Sequence, residues 1–156
     1  LVGAVKFPNP ENREAMSLAA HLSGKAINTT FTTACHAFSY YFTTHFGLAH
    51  GHAVGVTLAP TFGFNSEVTD GDVNDKRGVG YVKETMNELT KFLEGDSPEE
   101  VVVKIKNLMD EIGLSRDLSR FSLDVEDFIS SINVERLVNN PRKMTSDDIK
   151  TILSQI

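Results

Sequence analysis

Apolar residues in this 156-residue chain recur every three or four positions and nowhere alternate for long with period two, so the elements it can build are helices. Asn9-Pro10-Glu11 supplies an N-cap, a first-turn proline and an early carboxylate. Ala15, Leu18, Ala19, Leu22 and Ala26 then define a helix face from about residue 10 to 27. Thr29, Thr30, Thr32 and Thr33 favour a break, and a second helix runs from Ala34 to about Thr44, closed by Gly47. Past the link Leu48-Ala49-His50, the stretch from Gly51 to about Phe64 carries no charged residue, which marks a buried central helix. Pro60 within it predicts a kink or an early stop near Ala59.

Asp70-Gly71-Asp72 is turn chemistry, followed by a helix whose face is Val82, Met86, Leu89 and Leu93 and whose end is Gly95. Ser97-Pro98-Glu99-Glu100 reads as a capping box, with Val101, Ile105, Leu108 and Ile112 aligned behind it and Gly113 as terminator. Short helical pieces follow near 125–132 and 135–138. Thr145 caps a last helix with Ile149, Ile152, Leu153 and Ile156 on its inner face. The expected fold class is all-α, a helical bundle forming one domain over residues 1–156, with no repeat, low-complexity tract or linker to divide it.

Charge and motif content narrow the function. With 15 basic against 21 acidic side chains the net charge is −6, which disfavours nucleic acid and anionic membrane as partners. No stretch approaches a membrane span and no export signal opens the chain. With the lone Cys35, this leads us to expect a cytoplasmic location. The glycines stand at helix ends, never in a spaced cluster after a strand, so the chain alone offers no cradle for a dinucleotide. The missing initiator Met suggests a piece of a longer protein. Cys35 and His36 are neighbours on one helix and point about 100° apart, which favours a plain buried thiol over a nucleophile–base pair.

Four of the five histidines lie between positions 36 and 52. His36 belongs to an apolar helix, and His50 immediately precedes a buried one, where the helix N-terminus disfavours an imidazolium. A helix-borne and a loop-borne histidine can converge on one ion between helices, although a catalytic metal usually takes at least three protein ligands. His45 and His52 have the same chemistry, and spacing excludes neither.

The segment from Cys35 to Asn65, CHAFSYYFTTHFGLAHGHAVGVTLAPTFGFN, resembles the second signature of the iron-containing alcohol dehydrogenases. In that family one histidine ligand opens a helix and a second, followed by Gly, comes fourteen residues later, as do His36 and His50-Gly51 here. Asn12 to Met16 and Leu22 to Ala26 resemble the preceding helix, and Asn140-Pro141-Arg142 with Thr145 to Ile149 resembles the family's ending. Two positions depart from the pattern. Tyr40 stands where a second histidine is common, and Ala49 where a proline is. The wording around Gly24-Lys25-Ala26, His36 to Tyr40 and His50 to Val54 is closest to a branch associated with phosphonoacetaldehyde reduction.

The resemblance implies the C-terminal helical domain, of the dehydroquinate synthase-like type, of an NAD(P)-dependent alcohol dehydrogenase or aldehyde reductase. His36 and His50 would ligate a catalytic Fe2+ or Zn2+, with Tyr40 lining the cavity and His52 behind the ligands or facing the substrate. NAD or NADP would be bound mainly by an absent N-terminal domain, and the family's other two ligands, an Asp and a His, likewise precede the region matched by this chain. The substrate would be a small alcohol or aldehyde, and a homo-oligomer is compatible with the pattern. A dehydroquinate synthase-like lyase or a polyol-phosphate dehydrogenase is the alternative within the superfamily. Outside it, the alternative is a non-catalytic helical scaffold, whose signature would be His36 and His50 rings pointing apart.

Overall fold

The computed structural model describes residues 1–156 and is helical from end to end, with a single isolated bridge between Val73 and Arg142. The helices are α1 (Val2–Lys6), α2 (Pro10–Ile27), α3 (Ala34–Phe46), α4 (His50–Ser66), α5 (Val79–Phe92), α6 (Pro98–Glu111), α7 (Val125–Ser131), α8 (Val134–Leu137) and α9 (Ser146–Ser154). No helix is long and apolar enough to cross a membrane.

α4 is the helix the others gather round, packing on α3, α5, α6 and α9. Its uncharged sequence is explained by that position. Gly55, Ala59 and Gly63, spaced one turn apart, put a strip of small residues against α6. A Cβ at Gly55 would meet Met109 Cε at 3.3 Å, and one at Gly63 would meet Val102 Cγ2 at 3.3 Å. Between α3, α7 and α9 the core is aromatic and aliphatic: Phe38, Phe42 and Phe128 are fully buried, with the Phe128 ring 5.6 Å from Phe38 and 5.2 Å from Phe42. Ile149 and Ile152 of α9 close it.

The helix starts and stops follow the capping chemistry. Asn9 accepts from the Asn12 amide, Thr145 and Asp148 form a reciprocal capping box, and Gly47 and Gly113 end α3 and α6 with positive φ. At α6 the Ser97 hydroxyl caps Glu100 as expected, but the Glu100 carboxylate reaches the amide of Asp96 instead of returning to Ser97.

Two sequence expectations need correction. Of the kink or early stop expected at Pro60, the stop is the part that fails, since α4 continues through Pro60 to Ser66. Pro60 withholds one amide from the helix ladder, a cost of about 3 kcal/mol in an isolated helix, but α4 is enclosed by neighbours and burial offsets the loss. α2 forms over the expected residues, yet none of them is buried, and Leu18 and Leu22 are more than half exposed. Periodicity reports that an apolar face exists, and here no element of the chain covers it.

The end of α4 is tied to the C-terminal segment by polar groups. The Asn65 and Asn140 amides, both buried, donate to each other's carbonyls at 3.1 and 2.8 Å. Arg142 donates from Nε to Asp72 at 2.7 Å and to the Phe64 carbonyl at 2.7 Å, with its guanidinium over the Phe64 ring. Burial alone would raise the Asp72 carboxyl, but hydrogen bonds from Thr69 and Arg142 outweigh it and leave it below the usual carboxylate range.

Asn140→Ala leaves the buried Asn65 amide unsatisfied, and Asn65→Ala leaves the Asn140 carbonyl oxygen so while the Asn140 amide keeps the Arg142 carbonyl at 2.7 Å, so each should cost about 1–3 kcal/mol in urea unfolding. The double variant should lose clearly less than the two costs added, because neither side chain is then left facing a missing partner. Additive losses would show that the pair is not a unit.

Candidate functional site

α3 and α4 pack against each other, and the pairing carries the two histidines to one place. His36 lies in the first turn of α3, and His50 is the first residue of α4 rather than part of the link before it. Their ring centroids are 5.3 Å apart with planes inclined at 64°. Tyr40, one turn after His36, stands with its ring centroid 6.4 Å from that of His50 and is about half exposed. The rings therefore converge at the solvent edge of the α3–α4 contact.

At His36 the neutral imidazole is favoured. Burial is the main reason the His36 imidazole is held below the ordinary histidine value, and the neighbouring His50 and Arg136 push it the same way. Ser39 Oγ donates its hydrogen to the His36 carbonyl at 2.8 Å and lies 3.5 Å from His50 Nδ1. With its proton committed, the hydroxyl can only accept from Nδ1–H. A hydrogen bond of that sense belongs to the tautomer of His50 whose Nε2 is bare.

The other histidines are engaged elsewhere. His52 donates from Nε2 to the Ser115 carbonyl at 2.6 Å, fastening the start of α4 to the loop after α6, and is not brought to the pair. The His45 ring stacks on Tyr41 with centroids 3.9 Å apart, and His21 rides on the exposed α2. Cys35 is buried against the Thr57 carbonyl, its thiol pushed up by burial, which makes it a poor nucleophile.

Two further residues belong to the site, and the sequence alone did not single them out. Ser39 gives a signal only in retrospect, as the residue three positions after His36. Arg136, on α8, holds its guanidinium over the Tyr40 ring with Cζ 4.6 Å from the centroid. It lies a hundred residues from His36, a proximity that spacing cannot report.

Two imidazoles facing one space are suitable donors for a first-row divalent ion. They are also too few for a closed site. Nowhere do three or more His, Cys, Asp or Glu side chains come together in a metal-binding arrangement. A cleft of about 720 Å3 lies off the pair and is lined in part by Cys35, Thr61, Asn65, Tyr81 and Met86, with none of the histidines.

The family model "Fe-containing alcohol dehydrogenase family, C-terminal" matches residues 2–156. Phosphonoacetaldehyde reductase of Streptomyces viridochromogenes is 34% identical over 152 residues, covering 95% of this chain and 37% of that protein. The crystal structure of sulfoacetaldehyde reductase from Bifidobacterium kashiwanohense in complex with NAD+ superposes with a TM-score of 0.77 at 24% identity, covering 99% of this chain and 38% of that one. At that identity the likeness speaks for the fold. The chain thus spans well under half the length of both relatives.

Because folded His36 takes up its proton less readily than the unfolded chain, its contribution favours folding above pH ~6.5 and is lost as pH falls through and below that value. An NMR pH titration of the metal-free chain should place the His36 midpoint below ~6.5. Arg136→Gln should raise it by removing a like charge, and an unchanged midpoint would separate Arg136 from the site.

Proposed function

The chain belongs to the Fe-containing alcohol dehydrogenase family, matching its C-terminal part, and from that premise we propose that it is the helical metal-binding domain of an NAD(P)-linked alcohol dehydrogenase or aldehyde reductase. The observation that carries the reading is the convergence of His36 and His50 from two helices onto one space. Rings pointing apart would have suited a non-catalytic scaffold.

In this reading His36 and His50 hold a divalent ion, Fe2+ or Zn2+, together with ligands supplied from outside these residues. When bound, the ion draws electron density from the carbonyl oxygen of the aldehyde, or favours the alkoxide in the oxidative direction. The residues of this chain prepare for that work. Burial above all, and the Arg136 charge besides, hold His36 towards its neutral form, and Ser39 stands beside Nδ1 of His50. Tyr40 lines the approach and offers its hydroxyl as a hydrogen-bond donor. His52 acts at one remove, fixing the first turn of α4, and with it His50, through Ser115.

The nicotinamide that exchanges hydride with the substrate carbon is held by a separate nucleotide-binding region, since the helical segment has no glycine loop for a pyrophosphate. Phosphonoacetaldehyde, named by the relative at 34% identity, is the first aldehyde to assay. The isolated chain, supplied with NADH or NADPH, Fe2+ or Zn2+ and a panel of aldehydes, should show no turnover above a His36→Ala, His50→Ala control. Joined to the nucleotide-binding region of the parent enzyme it should turn over, and either single alanine substitution should lower kcat/KM by at least about a hundredfold. Full activity in the double variant would sink the assignment.

A further inference from the structure

Three of the six arginines, Arg13, Arg120 and Arg136, take part in no ion pair, and of these Arg136 alone is half-buried and lies beside the histidine pair. Arg77 is locked to Asp75, Arg116 to Asp110, and Arg142 to Asp72 and Glu67. Arg136 takes part in none of the chain's seven ion pairs and makes no side-chain hydrogen bond, although the protein carries six more negative than positive charges. A cation that merely balanced charge would have many carboxylates to choose from. This one is half-buried and stacked on the ring of Tyr40.

Stacking matters for what the guanidinium can do. Tyr40 occupies one face of the planar group and steadies it, while the N–H donors lie in the plane and stay free at its edge. A fixed fork of donors matches an oxyanion with two or more equivalent oxygens, and charge-assisted pairs of this kind are the strong ones. The same Tyr40 ring adjoins His50, with centroids 6.4 Å apart, and the Arg136 charge is near enough to act on His36, so the cation and the two imidazoles are gathered round a single aromatic side chain.

We propose that Arg136 is the specificity-determining residue of the site: it binds the anionic end, phosphonate, sulfonate or carboxylate, of a short aldehyde whose carbonyl is presented at His36 and His50. This rests on the reading of the chain as part of an aldehyde reductase and adds the substrate class and the residue that selects it. The substrate is short because Arg136 and His50 both lie within 6.4 Å of the Tyr40 ring centroid. Tyr40 contributes as the platform that orients the guanidinium.

Two measurements separate this inference from the reading beneath it. In the first, the isotope-labelled chain is titrated with methylphosphonate while the resonances of Arg136, Tyr40 and His36 are followed. Saturable shifts at these residues are expected, lost in Arg136→Gln and weakened in Arg136→Lys, whose ammonium keeps the charge without the fork. Shifts centred elsewhere, on Lys76 and Arg77 for example, or undiminished in Arg136→Gln, overturn the proposal.

In the second, the enzyme carrying this segment is assayed with phosphonoacetaldehyde and with propanal, an uncharged aldehyde. Arg136→Gln should raise KM for the anionic aldehyde roughly ten- to a hundredfold more than for propanal, the worth of a charge-assisted hydrogen-bond pair, with kcat affected much less. Equal losses on both aldehydes mean a structural role and overturn it, as does equal activity of variant and wild type. If the wild-type enzyme reduces neither aldehyde, the reductase reading fails, and the methylphosphonate titration still decides whether Arg136 is an anion receptor.

Discussion

Burial of α4 is the constraint from which the rest of the structure follows. A helix with no charged side chain must be covered on most of its surface, and α3, α5, α6 and α9 are arranged to do so. The small residues at Gly55, Ala59 and Gly63 let α6 approach closely on one side. On another, α3 presents Phe38 and Phe42 to the core it shares with Phe128 and α9. Once α4 is fixed between these layers its first residue is fixed too, and that residue is His50. The chemistry of the site is therefore a consequence of packing.

The polar ties at the far end of α4 serve the same purpose. Asn65, Asn140 and Arg142 connect its last turn to the segment leading into α9, and that segment follows directly from α8, which brings Arg136 over Tyr40. The Asn140-Pro141-Arg142 sequence, legible at first only as part of a resemblance, thus has a mechanical role. It anchors the strand of chain that carries the site's unpaired cation.

Elements whose cause is local were readable from the sequence. The starts at Asn9, Ser97 and Thr145 and the stops at Gly47 and Gly113 depend on neighbouring residues, and the helices appear where those residues place them. The five-residue α1, which lacks a side-chain cap, gave no such signal. What depends on partners was harder to read. α2 shows the periodicity of a buried helix and buries nothing, whereas Pro60 would break an isolated helix and does not break a surrounded one. At the site, the fourteen-residue spacing of His36 and His50 was visible, but Ser39 and Arg136 enter through contacts that only the folded chain makes.

The central claim is that His36 and His50 act together as donors to one divalent ion. Its most direct test needs neither substrate nor nucleotide: the isotope-labelled chain is titrated with Co2+ to about millimolar concentration, high enough to populate a two-ligand site, and the ring resonances of all five histidines are followed. The account predicts that His36 and His50 broaden and shift with one common dependence on Co2+. Replacing either by alanine should remove the response of the other. A response centred on His21, His45 or His52, or one in which His36 and His50 answer independently of each other, would contradict it.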